Sequence, residues 1–117
     1  MASSPASSER PPVSALTGPE PIIVEVPRDL REVVTLYLET RGGDLARLDQ
    51  AARSRNLNEI RAIGHRLQGS SASLGFAEAG DIGAGLERAA VARDYSAIDG
   101  LIARLREYFA RIRIRHV

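Results

Sequence analysis

The chain of 117 residues contains no cysteine and no lysine; all sixteen of its Lys-plus-Arg positions are arginine. Without cysteine there is no disulfide framework and no thiolate set for most structural zinc sites, which suits a reducing compartment. Without lysine there is no glycine-lysine pair, so a phosphate-binding P-loop is excluded. No apolar run approaches the roughly 20 residues needed to span a bilayer, and the N-terminus lacks the basic-then-apolar order of a secretion signal. These absences predict a soluble cytoplasmic protein with no membrane partner. The formal net charge is only +1. Glu9, Glu20 and Glu25 against Arg10 make residues 1–27 net −2, which leaves +3 for the remainder. That balance is too mild to imply nucleic acid.

Proline is missing from most of the chain, since all six prolines fall within the first 27 residues, mixed there with serine. Such a composition cannot bury enough apolar surface to order itself, so residues 1–26 read as a disordered tail or linker. Within it, Ile22 to Val26 ("IIVEV") is a short apolar segment able to pack onto the domain.

From Pro27 the pattern is helical, and residues 27–117 form one small domain, long enough to bury a core without staples. Pro27 and Arg28 open a first helix with Leu30, Val33, Val34, Tyr37 and Leu38 on one side. Arg41, Gly42 and Gly43 predict a break or kink, after which Asp44 caps a continuation carrying Leu45, Leu48 and Ala52. A second helix runs from Asn56 to about Gly75, with Asn56 and Glu59 forming a variant capping box. A third, from Ala77 to about Arg93, places Ile82, Leu86 and Ala90 on one stripe. A fourth starts near Asp94 and places Ile98, Leu101, Ile102, Leu105, Tyr108, Phe109 and Ile112 at core spacing, ending in arginines that complement the C-terminal dipole. Only the final "RIRIRHV" alternates over strand length. Helices joined by such short connections fold as antiparallel neighbours, so the expected class is all-α, an up-down four-helix bundle behind the disordered tail.

The second helix holds the most unusual stretch, "GHRLQGSSASLG", Gly64 to Gly75. Glycine and serine are poor helix formers, yet Leu57, Ile60, Ile63, Leu67, Ser71 and Leu74 recur at helical steps. At about 100° per residue this apolar set fills one sector, and His65 lies roughly 150° from its middle. The imidazole therefore faces outward, with Arg61 one turn before, Gln68 and Gly69 one turn after, and Ala72 two turns after. A missing side chain at Gly69 lets a partner surface come close to that nucleophile. Gly64 and Gly75 sit on the flank of the core stripe, where close helix packing accounts for them. His116, among terminal arginines, lacks such surroundings.

The stretch "IGHRLQGSSASLG" resembles the signature of histidine-containing phosphotransfer (HPt) domains, in which a histidine is followed by two residues, Lys, Gly, a run of small residues, an apolar residue and Gly. The resemblance extends through "LYLETRGGDLARLDQAARSRNLNEIRAIGHRL" before the histidine and "AEAGDIGAGLERAA" after it, covering about residues 28 to 112. It implies that His65 is the phosphoacceptor, taking a phosphoryl group from an aspartate of a receiver domain and passing it to another receiver. It also implies that Gly69 makes room for receiver loops, and that Glu87 reaches the histidine from the neighbouring helix. Gln68 departs from the pattern: the family usually has lysine there, whose charge neutralises the phosphoryl group. Arg61, on the same face, supplies a charge in its place. Arg66, Ala62 and Ala72 are read with Gly69 as partner contacts.

The resemblance implies no cofactor held by this chain, magnesium being supplied by the receiver's aspartate pocket. The implied partner is the receiver domain of a response regulator or hybrid histidine kinase, the chain itself being a monomer and a phosphocarrier rather than an enzyme. Three other readings compete. One is a phosphorylation-independent helical-bundle adaptor that binds receiver or kinase domains. Another is the phosphoacceptor hairpin of a histidine kinase, which typically places an acidic residue after its histidine where Arg66 follows here. The third is nucleic-acid binding through Arg111, Arg113 and Arg115, a cluster more often found as a solvated helix terminus.

Overall fold

The computed structural model describes residues 20–117. It holds four helices: α1 (Arg31–Arg53) behind a single 3-10 turn (Arg28–Leu30), α2 (Leu57–Ser71) continued by a 3-10 turn (Ala72–Leu74), α3 (Ala77–Val91) and α4 (Tyr95–Arg111). Two short strands, β1 (Ile22–Val26) and β2 (Ile112–His116), flank them and pair in parallel.

Local chemistry sets the helix ends. Asn56 Oδ1 accepts the Glu59 N–H at 3.1 Å at the start of α2, and Asp94 Oδ1 accepts the Ala97 N–H at 3.1 Å at the start of α4. The capping box is only half closed, because the Asn56 N–H donates to the Ala51 carbonyl at 2.8 Å. That bond belongs to the end of α1, where Arg55 takes a left-handed φ of 57°; Arg93 does the same, also at 57°, after α3. Each short connection thus closes one helix and caps the next within three residues.

The core is assembled from the predicted stripes. Val34 and Leu48 of α1, Ile60, Ile63 and Leu67 of α2, Ile82 and Leu86 of α3, and Ile98 and Leu105 of α4 are all fully buried, together with Phe76, in one core cluster. Each such side chain contributes roughly 1.5–3 kcal/mol of burial free energy. Tyr37 stacks on Phe76 at 4.7 Å between ring centroids, which ties α1 to the turn after α2. Val33, expected on the inner side, is instead half exposed.

The expected break at Arg41, Gly42 and Gly43 does not occur, and Asp44 caps nothing: α1 runs unbroken through all four residues. Two glycines weaken a helix by about 1 kcal/mol each, but Val34 and Tyr37 before them and Leu48 and Ala51 after them pack on the same core, and that burial outweighs the local cost. A Cβ at Gly42 would meet nothing within 4 Å among the described residues, so none of them demands glycine there.

The N-terminal segment also needs correction. Residues 1–19 of the expected tail lie outside the described residues, but Ile22–Val26 is a strand, so the packed body begins before Pro27. Its register sets Ile22 against Ile112, Val24 against Ile114 and Val26 against His116. Val24, Val26 and Ile112 face the core, while Glu25 and Arg115 pair on the outer face. The ribbon continues past the strand ends, with Val117 N–H donating to the Val26 carbonyl at 2.9 Å and Arg28 N–H to the Val117 carbonyl at 3.1 Å. Ile112, predicted as the last core residue of the fourth helix, reaches the core from this strand.

Candidate functional site

The buried face of α2 consists of Ile60, Ile63, Gly64, Leu67 and Ser71. Residue 65 is thereby turned away from the core, and the His65 side chain is 73% exposed. On the α3 side, Glu87 places its Oε2 3.4 Å from His65 Nδ1. The sequence signal for Glu87 was its place in the HPt resemblance; the structure brings the two side chains together.

What brings α3 so near is a pair of glycines. A Cβ on Gly64 would stand 2.6 Å from the Gly83 carbonyl oxygen, and a Cβ on Gly83 would stand 2.6 Å from the Gly64 carbonyl oxygen. The two backbones touch with no side chain between them. Gly83 lies one turn before Glu87 on α3, so this contact carries the carboxylate to the histidine. Gly64 thus packs as predicted. Gly75 does not: its φ of +95° is the left-handed conformation that ends the turn after α2, and its virtual Cβ makes only ordinary contacts.

An open cleft is lined by Asn58, Arg61, Ala62, His65, Arg66 and Glu87. Arg61 is exposed and makes no ion pair among the described residues. Asn58 adds an amide to the rim that sequence reasoning did not single out; it lies on the outer face of α2, two turns before His65. Gln68, Gly69 and Ala72 are exposed, but they lie outside this cleft, further along α2. Among the described residues a Cβ at Gly69 would meet nothing within 4 Å, so their packing does not require glycine there.

On the opposite flank, α1 contributes a buried polar cluster. The Asp44 side chain is 2% exposed and accepts from Arg47 Nη1 at 2.7 Å; Arg41 Nε lies 3.3 Å and Arg66 Nη2 3.8 Å from the same carboxylate. Arg41 Nη1 also donates to Ser70 Oγ at 3.2 Å, and Ser70 Oγ donates to the Arg66 carbonyl at 3.0 Å. Nearby, the Tyr37 and Ser71 hydroxyls share a hydrogen bond of 2.5 Å; burial raises the Tyr37 pKa above its ordinary value, against the lowering effect of that bond. Asp44, predicted as a helix cap, instead binds the α1 arginines to the histidine-bearing helix.

Chemically, the arrangement presents an imidazole to solvent with one nitrogen against a carboxylate. A proton held on Nδ1 beside Glu87 leaves Nε2 with its lone pair directed outward, the form in which imidazole is a nucleophile. Guanidinium groups on the rim favour an anionic reactant. Among the described residues no three His, Asp or Glu side chains converge on a metal position, and no helix is long and apolar enough to cross a membrane.

The family model described as the Hpt domain matches residues 32–114. The chain matches no curated protein and no solved structure.

Proposed function

This chain belongs to the Hpt domain family, and from that premise we propose that it relays a phosphoryl group between receiver-domain aspartates through phosphohistidine at His65. The observation that carries the reading is the exposed imidazole with Nδ1 3.4 Å from Glu87 Oε2, bordered by arginine. In the forward step the Nε2 lone pair attacks phosphorus. The bond from phosphorus to the receiver's aspartate oxygen breaks, and the aspartate leaves as a carboxylate. The ring proton stays on Nδ1, where the Glu87 carboxylate offsets the positive charge the ring acquires. Transfer to the next receiver is the reverse of this step. Such chemistry depends on positioning and charge neutralisation above all.

Arg61 provides neutralising charge from this chain, in the absence of a lysine at position 68. Gln68 donates neutral hydrogen bonds, about half as strong as charge-assisted ones. Magnesium comes with the receiver. Gly69 and Ala72, with no bulky side chain, admit the receiver's loops beyond the histidine, and Ala62 and Arg66 contact it on the other side.

Incubation with a phosphorylated receiver tests this. Wild type is expected to gain acid-labile, base-stable phosphate, and His65→Gln to gain none while keeping its helicity and melting temperature, since the ring contributes little to the core. Receiver binding without any transfer would instead support the adaptor reading.

A further inference from the structure

Asp44 carries one negative charge in a buried setting, yet three guanidinium groups surround it, at 2.7 Å (Arg47), 3.3 Å (Arg41) and 3.8 Å (Arg66). The cluster therefore has more cation than it needs. Its least tightly held member, Arg66, is half exposed and is the only one of the three that also lines the His65 cleft. Among the described residues, Asp44 Oδ2 is buried without a hydrogen-bond partner, as is the Arg41 Nε that faces it. A buried carboxylate is costly unless paired, and Arg41 and Arg47 keep it paired whichever way Arg66 turns.

We propose that Asp44 is a positioning residue that holds Arg66 at the rim of the His65 cleft as a releasable cation for the phosphoryl group. The inference rests on the phosphotransfer reading above. In the resting chain Arg66 leans toward Asp44. When a phosphoryl group bearing about two negative charges arrives on His65, Arg66 transfers to its oxygens, and the buried carboxylate remains neutralised by its two closer partners. The cleft then has a cation on each flank, Arg61 and Arg66, in place of the single lysine missing from position 68. An azimuth of about 100° from His65 does not exclude Arg66, because its long side chain reaches the rim.

The test uses phosphoramidate, a small donor that needs no partner surface. Arg66→Ala is expected to label His65 about tenfold more slowly than wild type, Arg66→Lys to recover part of that loss, and Arg104→Ala, a charge removed elsewhere on the surface, to change nothing. Asp44→Asn is expected to slow labelling in the wild type but to add no further slowing to Arg66→Ala, whereas a purely structural Asp44 would act equally in both backgrounds. Should Asp44→Asn fail to fold, the Arg66 Nε–H resonance of the intact chain gives the answer: it is expected to shift on phosphorylation. Wild-type labelling rates in Arg66→Ala, or an unmoved Arg66 resonance, would overturn the proposal alone. Absence of labelling in the wild type would overturn the phosphotransfer reading itself.

Discussion

Gly64 and Gly83 meet backbone to backbone, each leaving its partner no room for a Cβ: the carbonyl oxygen opposite would lie 2.6 Å away. This contact sets the spacing of α2 and α3 and, one turn further along α3, the position of Glu87 beside His65.

Gly83→Ala is therefore predicted to destabilise the domain by about 1–3 kcal/mol, the usual cost of overpacking, although alanine is the better helix former. It also moves Glu87 away from the imidazole, so His65 labelling slows. Thermal unfolding and phosphoramidate labelling check both effects; a stabilised variant would mean that the helices part without cost.

Gly69 is the opposite case, an exposed helical glycine with open space around it. Gly69→Ala is predicted to raise stability by up to about 1 kcal/mol. Gly69→Gln should keep the fold yet sharply weaken transfer from a phosphorylated receiver, while sparing labelling by phosphoramidate, which needs little room. Undiminished receiver-dependent transfer in the stable Gln variant would remove docking as the reason for this glycine.

Tyr108 gives a pH signature. Burial, with smaller contributions from Tyr37 and Glu78, pushes its hydroxyl up to about 12, while in the unfolded chain it titrates near 10. The unfolded state loses this proton first. The contribution to stability is thus fully present below about pH 10 and is lost as pH rises toward about 12. Melting temperature should fall across that window, and Tyr108→Phe should flatten the fall in part, leaving the share of Tyr37, which is shifted in the same direction. A wild-type curve that stays level to pH 12 would contradict this.

The parts of this molecule that were readable in advance are those governed by local period. Ile60, Ile63, Leu67 and Ser71 repeat at helical spacing, so the buried face of α2 and the outward direction of His65 follow from one helix considered alone. Contacts between elements were not readable in this way. Nothing near Gly64 in the chain announces Gly83 as its partner, and Glu87 was placed only through the family resemblance. Arg41, Gly42 and Gly43 have the composition of a break, and core contacts on both sides overrode it. Ile22–Val26 looked like part of a tail because its partner strand lies at the other end of the domain; the alternation of "RIRIRHV" marked that partner as strand-like, but nothing in either segment announced the pairing. Asp44 suggested a cap by residue type; the arginines that claim it come from two helices.

The central claim is that His65 accepts the phosphoryl group on the nitrogen turned away from Glu87. Nitrogen-15 spectra of the His65 imidazole, recorded after phosphorylation by a receiver, test it most directly. The account predicts a phosphorus-coupled Nε2 and a protonated Nδ1, with no such signal in His65→Gln. Phosphorus on Nδ1, or on any residue other than His65, would contradict it.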